Sequence, residues 1–290
     1  MGASSVQGVA ATRGARRLLP EGRTAVMGIL NVTPDSFSDG GSYAATDAAL
    51  AHARCMIAAG ADLIDVGGES TRPGAPAIDA AVERARVLPV IEALRAETAL
   101  PISIDTSKAD VAAAALAVGA DMVNDVSAGR FDVGMLPLVA ERGAAIVLMH
   151  MQGVPATMQD APVYGDVVGE VGAFLAARAA AARAAGIPAE RIWLDPGIGF
   201  GKHGAHNLAL LAGLERLVAL GHPIVVGASR KGFLAALSGD PVAARLPASL
   251  AAAVLAAARG ARVVRVHDVG ATRSALAVGD ALARTGRVCG

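Results

Sequence analysis

This sequence is short of aromatic rings, of cysteine and of any excess of charge. Lys and Arg total 26 and Asp and Glu total 26, a formal net charge of +0. That balance argues against a nucleic-acid or anionic-membrane surface, because both need a basic excess. The two cysteines, Cys55 and Cys289, form no CxxC pair, which excludes a disulfide scaffold and a zinc cluster. The longest stretch that is uncharged and nearly free of polar groups, Leu246 to Ala258, falls short of the roughly 20 residues a spanning helix needs. The opening MGASSVQGVAATRGARR lacks an apolar core after its basic residues, so no signal peptide is expected. A hydrophobic content of 53% excludes a disordered chain. What remains is a soluble, cytoplasmic α/β protein with no membrane and no nucleic-acid partner. Its 67 alanines suit helices and carry no functional message.

Short apolar or β-branched runs alternate with long Ala/Leu segments, a pattern of strands and helices. Strands are expected at Ala25–Leu30, Leu63–Val66, Ile102–Ile104, Met122–Val123, Ala145–Met149, Ile192–Leu194, Ile224–Val226 and Val263–Val266. Helices are expected at Asp47–Ala59, Ala80–Glu97, Ala109–Val118, Gly134–Arg142, Val167–Ala185, Asn207–Leu220, Ser249–Arg259 and Thr272–Arg284. Gly60, Gly119, Gly143, Gly186, Gly221 and Gly260 each follow a helix, where a left-handed cap favours glycine. Eight such units without a linker predict a single (β/α)8 TIM barrel over residues 21–290, with 1–20 as a tail or a short segment closing the barrel floor. A doubly wound sheet is the alternative.

Turns from helix to strand are short and plain, whereas the loops from strand to helix are long and polar, as in Asn31–Thr46, Gly67–Ile78 and Asp195–His206. A barrel builds its active site from the latter. Asn31, Asp65, Asp105, Asn124, Asp125, His150, Asp195, Ser229, Arg265 and His267 then share one end. Familiar chemistries fail by spacing. Gly197–Lys202 has Pro196 and His203 where a Walker A loop needs glycine and a hydroxyl, and it also misses the dinucleotide pattern. There is no HExxH pair and no GxSxG elbow.

The remaining motifs come in order: MGILNVTPDSFSDGG at Met27–Gly41, GGESTRPG at Gly67–Gly74, IDTSK at Ile104–Lys108, NDVSAG at Asn124–Gly129, LDPGIGFGK at Leu194–Lys202, SRK at Ser229–Lys231 and RVHDV at Arg265–Val269. Together they resemble the dihydropteroate synthases, pterin-binding barrel enzymes of folate biosynthesis, over residues 24 to 285. The resemblance implies condensation of dihydropterin-methyl diphosphate with p-aminobenzoate, giving dihydropteroate and diphosphate by an SN1-like path. It also implies Mg2+, a homodimer (with 246–258 as a possible interface) and sulfonamides as competitors of p-aminobenzoate. A pterin-binding methyltransferase barrel or an inactive paralogue is the alternative; either should have lost members of these motifs.

By the same resemblance Asp105, Asn124, Met149, Asp195, Gly199, Lys231 and Arg265 bind the pterin. The chemistry agrees. A carboxylate such as Asp195 accepts from the N–H and exocyclic amine of the pterin edge. Asn124 offers both donor and acceptor, Lys231 donates to the oxo group, and the Arg265 guanidinium stacks on the ring. Asn31, Arg72, Arg265 and His267 are the diphosphate positions, with the Asn31 side-chain oxygen also on Mg2+. Thr71, Arg72, Pro73, Phe200, Ser229 and Lys231 face p-aminobenzoate. Asp105, Lys231, Arg265 and Asn31 are the catalytic set, with Asp105 stabilising the electron-poor pterin left by diphosphate. The loops Val32–Thr46 and Ser70–Ile78 are expected to act as lids. Gly232 departs from the hydroxyl or charged residue frequent after S-R-K, leaving backbone N–H groups for the p-aminobenzoate carboxylate. Asp65 and Asp125 are expected to be structural partners, Cys55 and Trp193 to be packing residues, and His52, His203, His206 and His222 to lie at the surface or cap helices. With so few rings, the pterin must lie among guanidinium, methionine and aliphatic groups.

Overall fold

Alternation along each strand divides this chain into layers. In β2 (Leu63–Gly67), Leu63 and Asp65 point one way while Ile64 and Val66 point the other; β4 (Met122–Asp125), β6 (Ile192–Asp195) and β8 (Val263–Val266) repeat the scheme. The computed structural model describes residues 18–33, 42–70, 74–239, 241 and 244–288. In it these strands, with β1 (Ala25–Asn31), β3 (Ile102–Asp105), β5 (Ala145–Met149) and β7 (Val225–Val226), form an 8-stranded parallel sheet in the order β6-β5-β4-β3-β2-β1-β8-β7. A lone bridge between Leu194 and Ile224 joins the two ends. The sheet is therefore a closed (β/α)8 barrel, and the doubly wound alternative is excluded.

The outward residues, among them Ile64, Val66, Ile102, Ile104, Ile146, Leu148 and Leu194, pack against the helices in one large buried cluster. The inward residues nearest the strand starts form a second: Ala25, Met27, Leu63, Met122, Ala145, Val147, Trp193, Val225 and Val263, with Leu18 of the preceding segment buried beside them. This apolar floor fills the barrel interior. One alternation further along, the same inward rows carry Asp65, Ser103, Asp105, Asn124, Asp195 and Arg265. The polar end of the barrel thus follows from a switch of residue type at constant period.

Around the sheet run α1 (Ser42–Ala58), α2 (Ala80–Glu97), α3 (Ala109–Ala117), α4 (Met135–Glu141), α5 (Val167–Ala184), α6 (Gly204–Ala212), α7 (Leu214–Val218), α8 (Gly232–Ser238), α9 (Leu246–Ala258) and α10 (Val269–Val288). All six expected cap glycines have positive φ. Four expectations are corrected. The first helix starts at Ser42 rather than Asp47, which shortens the loop before it. The 207–220 segment is two helices, broken at Gly213, where α5 presses so close that a Cβ would lie 3.0 Å from Val168. An additional helix, α8, follows S-R-K. Cys55 is exposed rather than packed, because an alanine-rich helix gives little sign of which face is inward. Trp193 is buried in the floor as expected. The expected lid residues 34–41 and the candidates Thr71, Arg72 and Pro73 lie outside the described residues.

Candidate active site

Strand register brings the site residues to one rim. Asn31 ends β1 opposite Gly67, Gly67 lies opposite Asp105, and Asp105 lies opposite Asn124. Met149 pairs with Asp195 on the far side. Arg265, from β8, reaches across the interior: its Nε donates to Asp65 Oδ2 at 2.6 Å and its NH2 group to Asp105 Oδ2 at 2.6 Å. Asn124 Nδ2 donates to the same Asp65 oxygen at 3.0 Å. Asp65 thus orients both Arg265 and Asn124 from beneath, the structural role expected for it. Asp125 accepts instead from the backbone N–H groups of Ser127 and Gly129 in a tight turn.

Electrostatics single out Asp105. Burial, helped by the like charges of Asp65, Glu83 and Asp125, raises its carboxyl to about 7 against the pull of Arg265. Its Oδ1 is buried and has no hydrogen-bond partner among the described residues, so one lone-pair face of this carboxylate is left for a ligand or water. Burial also raises Asp195, opposed first by Lys231. The Gly197 N–H fixes this carboxylate, donating to Oδ1 at 2.6 Å. Lys231 is lowered to about 8 by burial, opposed by Asp195 and reinforced by Arg265.

Lys231 reaches this position through an unusual turn. Arg230 has φ 58, rare for a side chain other than glycine. Its guanidinium forms a bidentate pair with Asp268, its N–H donates to Ser249 Oγ at 2.9 Å, and its carbonyl accepts from Arg245 at 2.9 Å. With the turn held from three sides, Lys231 folds inward over Gly199, where a Cβ would stand 3.0 Å from Lys231 Cδ. Its ammonium donates to the Ile198 carbonyl and sits 4.6 Å from the Phe200 ring centre. Phe200 in turn packs on Val126, Met149, Met151 and Met158, a small apolar cluster at the rim. Three methionines thus meet at this rim beside Phe200.

Ser229 Oγ lies 3.1 Å from His267 Nδ1 and accepts from the His267 backbone N–H at 3.2 Å, so these two expected residues are direct neighbours. His203 and His206 form a capping box at the start of α6. Two clusters escaped the sequence reading. Buried Lys202 donates to the carbonyls of Gly197 and Phe200, each at 2.9 Å, and to His150 Nδ1 at 2.9 Å, tying the DPGIGFGK loop into a knot. Burial lowers His150 to about 3, with Lys202 adding to it, so the imidazole is neutral and accepts. Lys108 joins Glu69 and Glu83 beside Asp105. The only sequence signal was that Lys202 and Lys108 each end a recognised motif.

The family model described as pterin binding enzyme matches residues 27–267. A dihydropteroate synthase of Synechocystis sp. is 48% identical over 263 residues, covering 90% of this chain and 91% of that protein. The chain belongs to the dihydropteroate synthase family. Among solved family structures, Xanthomonas albilineans dihydropteroate synthase with 4-aminobenzoic acid is 52% identical, with a TM-score of 0.85 over 90% of this chain and 93% of that one. The Yersinia pestis dihydropteroate synthase with a sulfonamide drug is 45% identical, with a TM-score of 0.87 over 92% and 96% of the two chains. Membership makes this chain an enzyme, with the fold and barrel-end site that the family shares. No helix among the described residues is long and apolar enough to cross a membrane.

Proposed function

We propose that this chain joins dihydropterin-methyl diphosphate to p-aminobenzoate, releasing diphosphate and 7,8-dihydropteroate. The observation that carries the reading is the single rim on which Asp195, Asn124 and Lys231 offer acceptors and donors for a flat 2-amino-4-oxo edge while Arg265 reaches across to Asp65 and Asp105. Asp195 accepts from the pterin N–H and amine, Asn124 pairs with the neighbouring nitrogens, and Lys231 exchanges the Ile198 carbonyl for the pterin oxo group. Gly199 allows Lys231 its path, and Met149 and Phe200 form the apolar wall.

Departure of diphosphate leaves positive charge on the pterin methylene, so the site must hold anion and cation apart. Asn31, Arg72, Arg265 and His267 take the diphosphate in this reading, while Asp105 faces the electron-poor pterin. The neutral aniline nitrogen then attacks, and its surplus proton leaves to diphosphate or water. Ser229 holds His267 in place, and Thr71, Arg72, Pro73, Phe200, Ser229 and Lys231 border p-aminobenzoate. In this reading Mg2+ would be held by the Asn31 side-chain oxygen with the diphosphate and water, since magnesium commonly takes one or two protein oxygens beside phosphate. When bound, it would neutralise charge on the leaving diphosphate. The same reading includes a cytoplasmic homodimer whose surface contains Leu255 of α9, 54% exposed.

Purified protein supplied with the pterin diphosphate, p-aminobenzoate and Mg2+ is expected to form dihydropteroate and diphosphate in equal amounts, with sulfonamides competing against p-aminobenzoate. Asp105→Asn and Lys231→Ala should each lower kcat by about 100-fold or more, as loss of one electrostatic partner of a transition state does, while circular dichroism stays native. Absence of product at every substrate level refutes the assignment.

A further inference from the structure

β7 and β8 run in register, with Val226 opposite Val264. The chain leaves both strands in step, so Ser229 and His267 each lie three residues past that pair. There side-chain bonds take over from the ladder. Ser229 Oγ accepts from the His267 backbone N–H at 3.2 Å and lies 3.1 Å from Nδ1 of the same residue. One hydrogen decides which atom donates in the second contact. A serine hydroxyl has a single hydrogen and two lone pairs. Ser229 is 8% exposed, and a buried hydroxyl hydrogen normally has an acceptor. Among the described residues the acceptor within its reach is His267 Nδ1. A proton on Nδ1 would leave the hydroxyl hydrogen buried with none. Nδ1 is therefore the bare nitrogen, and a neutral imidazole then carries its hydrogen on Nε2.

A histidine facing a phosphate can serve it as a cation or as a neutral donor, and the serine selects the second. We propose that Ser229 is a positioning residue that holds His267 as the neutral Nε2–H tautomer, aiming a hydrogen-bond donor at the departing diphosphate. This rests on the reading above, in which His267 takes that group. A donor fixed in advance strengthens its bond as negative charge builds on the leaving oxygen. The pterin edge is held by other means. Among the described residues the Ser229 hydroxyl bonds to His267 alone. Lys231 is placed by the Arg230 turn, which Asp268, Ser249 and Arg245 hold, and Asp195 is fixed by the Gly197 N–H. Loss of the hydroxyl should therefore fall on the diphosphate and spare the ring.

Histidine-selective nitrogen NMR spectra of the full chain at about pH 8, where an ordinary imidazole is neutral, read the tautomer directly. The His267 signals are those missing from His267→Gln. Nδ1 is expected at the frequency of an unprotonated nitrogen that accepts a hydrogen bond, and Nε2 at that of a protonated one. In Ser229→Ala the Nδ1 signal should move toward that of a bare nitrogen with no donor. A protonated Nδ1 in the parent, or an Nδ1 signal unmoved by Ser229→Ala, overturns the proposal. In kinetics Ser229→Ala is expected to raise KM for the pterin diphosphate about fivefold, the scale of one net hydrogen bond, while Kd for hydroxymethyl-dihydropterin, which lacks the diphosphate, changes less than about twofold. Equal losses for both ligands, or none for the diphosphate, also overturn it. If the parent shows the expected tautomer but forms no product, the assignment of activity fails while the Ser229–His267 assignment stands, so the two failures are separable.

Discussion

Arg265 brings one positive charge to two buried carboxylates, Asp65 and Asp105. Burial, helped by the like charges of Asp65, Glu83 and Asp125, pushes the Asp105 carboxyl up to about 7 against the pull of Arg265, while burial pushes the Lys231 ammonium down to about 8. The proposed mechanism needs Asp105 negative and Lys231 positive. Activity is therefore lost as pH falls through about 7, where Asp105 gains a proton, and lost again as pH rises through about 8, where Lys231 gives one up. A kcat/KM profile, which reports groups of the free enzyme, should peak between these limits; a flat profile across both would exclude the two groups. Asp105, Asn124, Asp195 and Arg265 were legible in the sequence because each stands in a motif at a strand end, where alternation turns it inward, and Lys231 because it ends the SRK motif. Glu83 was not. An acid in the first turn of a helix is a common partner of the helix dipole, and nothing in one sequence distinguishes it from a buried ion. Cys55 was misread for the complementary reason: alanine neighbours mark no inward face.

Strands were easier to place than the segments that follow them. All eight were found, most ending a residue or more later than expected, because Asn31, Asp105, Asn124, Asp125 and Asp195 are polar yet paired in the sheet. Sequence patterns count polar residues as loop, whereas a barrel mouth needs them on its strands. The α8 helix follows the SRK motif with no turn signal before it, and the break falls at Gly213, where a Cβ would lie 3.0 Å from Val168, a contact distant in sequence. The loop after β6 is the element most constrained by contact. Gly201 has φ 61, and a Cβ there would lie 2.5 Å from the Gln152 carbonyl oxygen, a backbone atom unable to yield cheaply. Gly201→Ala is expected to cost about 2 kcal/mol or more from the left-handed conformation and the contact together. A thermal melt should show the lower Tm, and pterin binding should weaken with it, since Lys202 holds the same loop. Unchanged melting would show that the loop can shift.

At the scale of the molecule the barrel is unevenly closed. β1 and β2 are joined over five register pairs, whereas β6 meets the segment before β7 through the single Leu194–Ile224 bridge, and β7 itself has two residues. Asp195 ends one side of this seam, and Lys231 follows the other. A pterin bonded to both is in effect one more rung of the ladder, supplied from solution. Amide exchange in 192–195 and 224–226 should slow markedly when pterin is bound. At about 100 times Kd the gain is about 2.7 kcal/mol, and it should exceed any change in β1 to β3; equal protection of every strand would show that the seam does not open on its own. The empty enzyme is thus expected to breathe at the seam between Asp195 and Lys231. A pterin held as proposed would complete the barrel at its shortest strand.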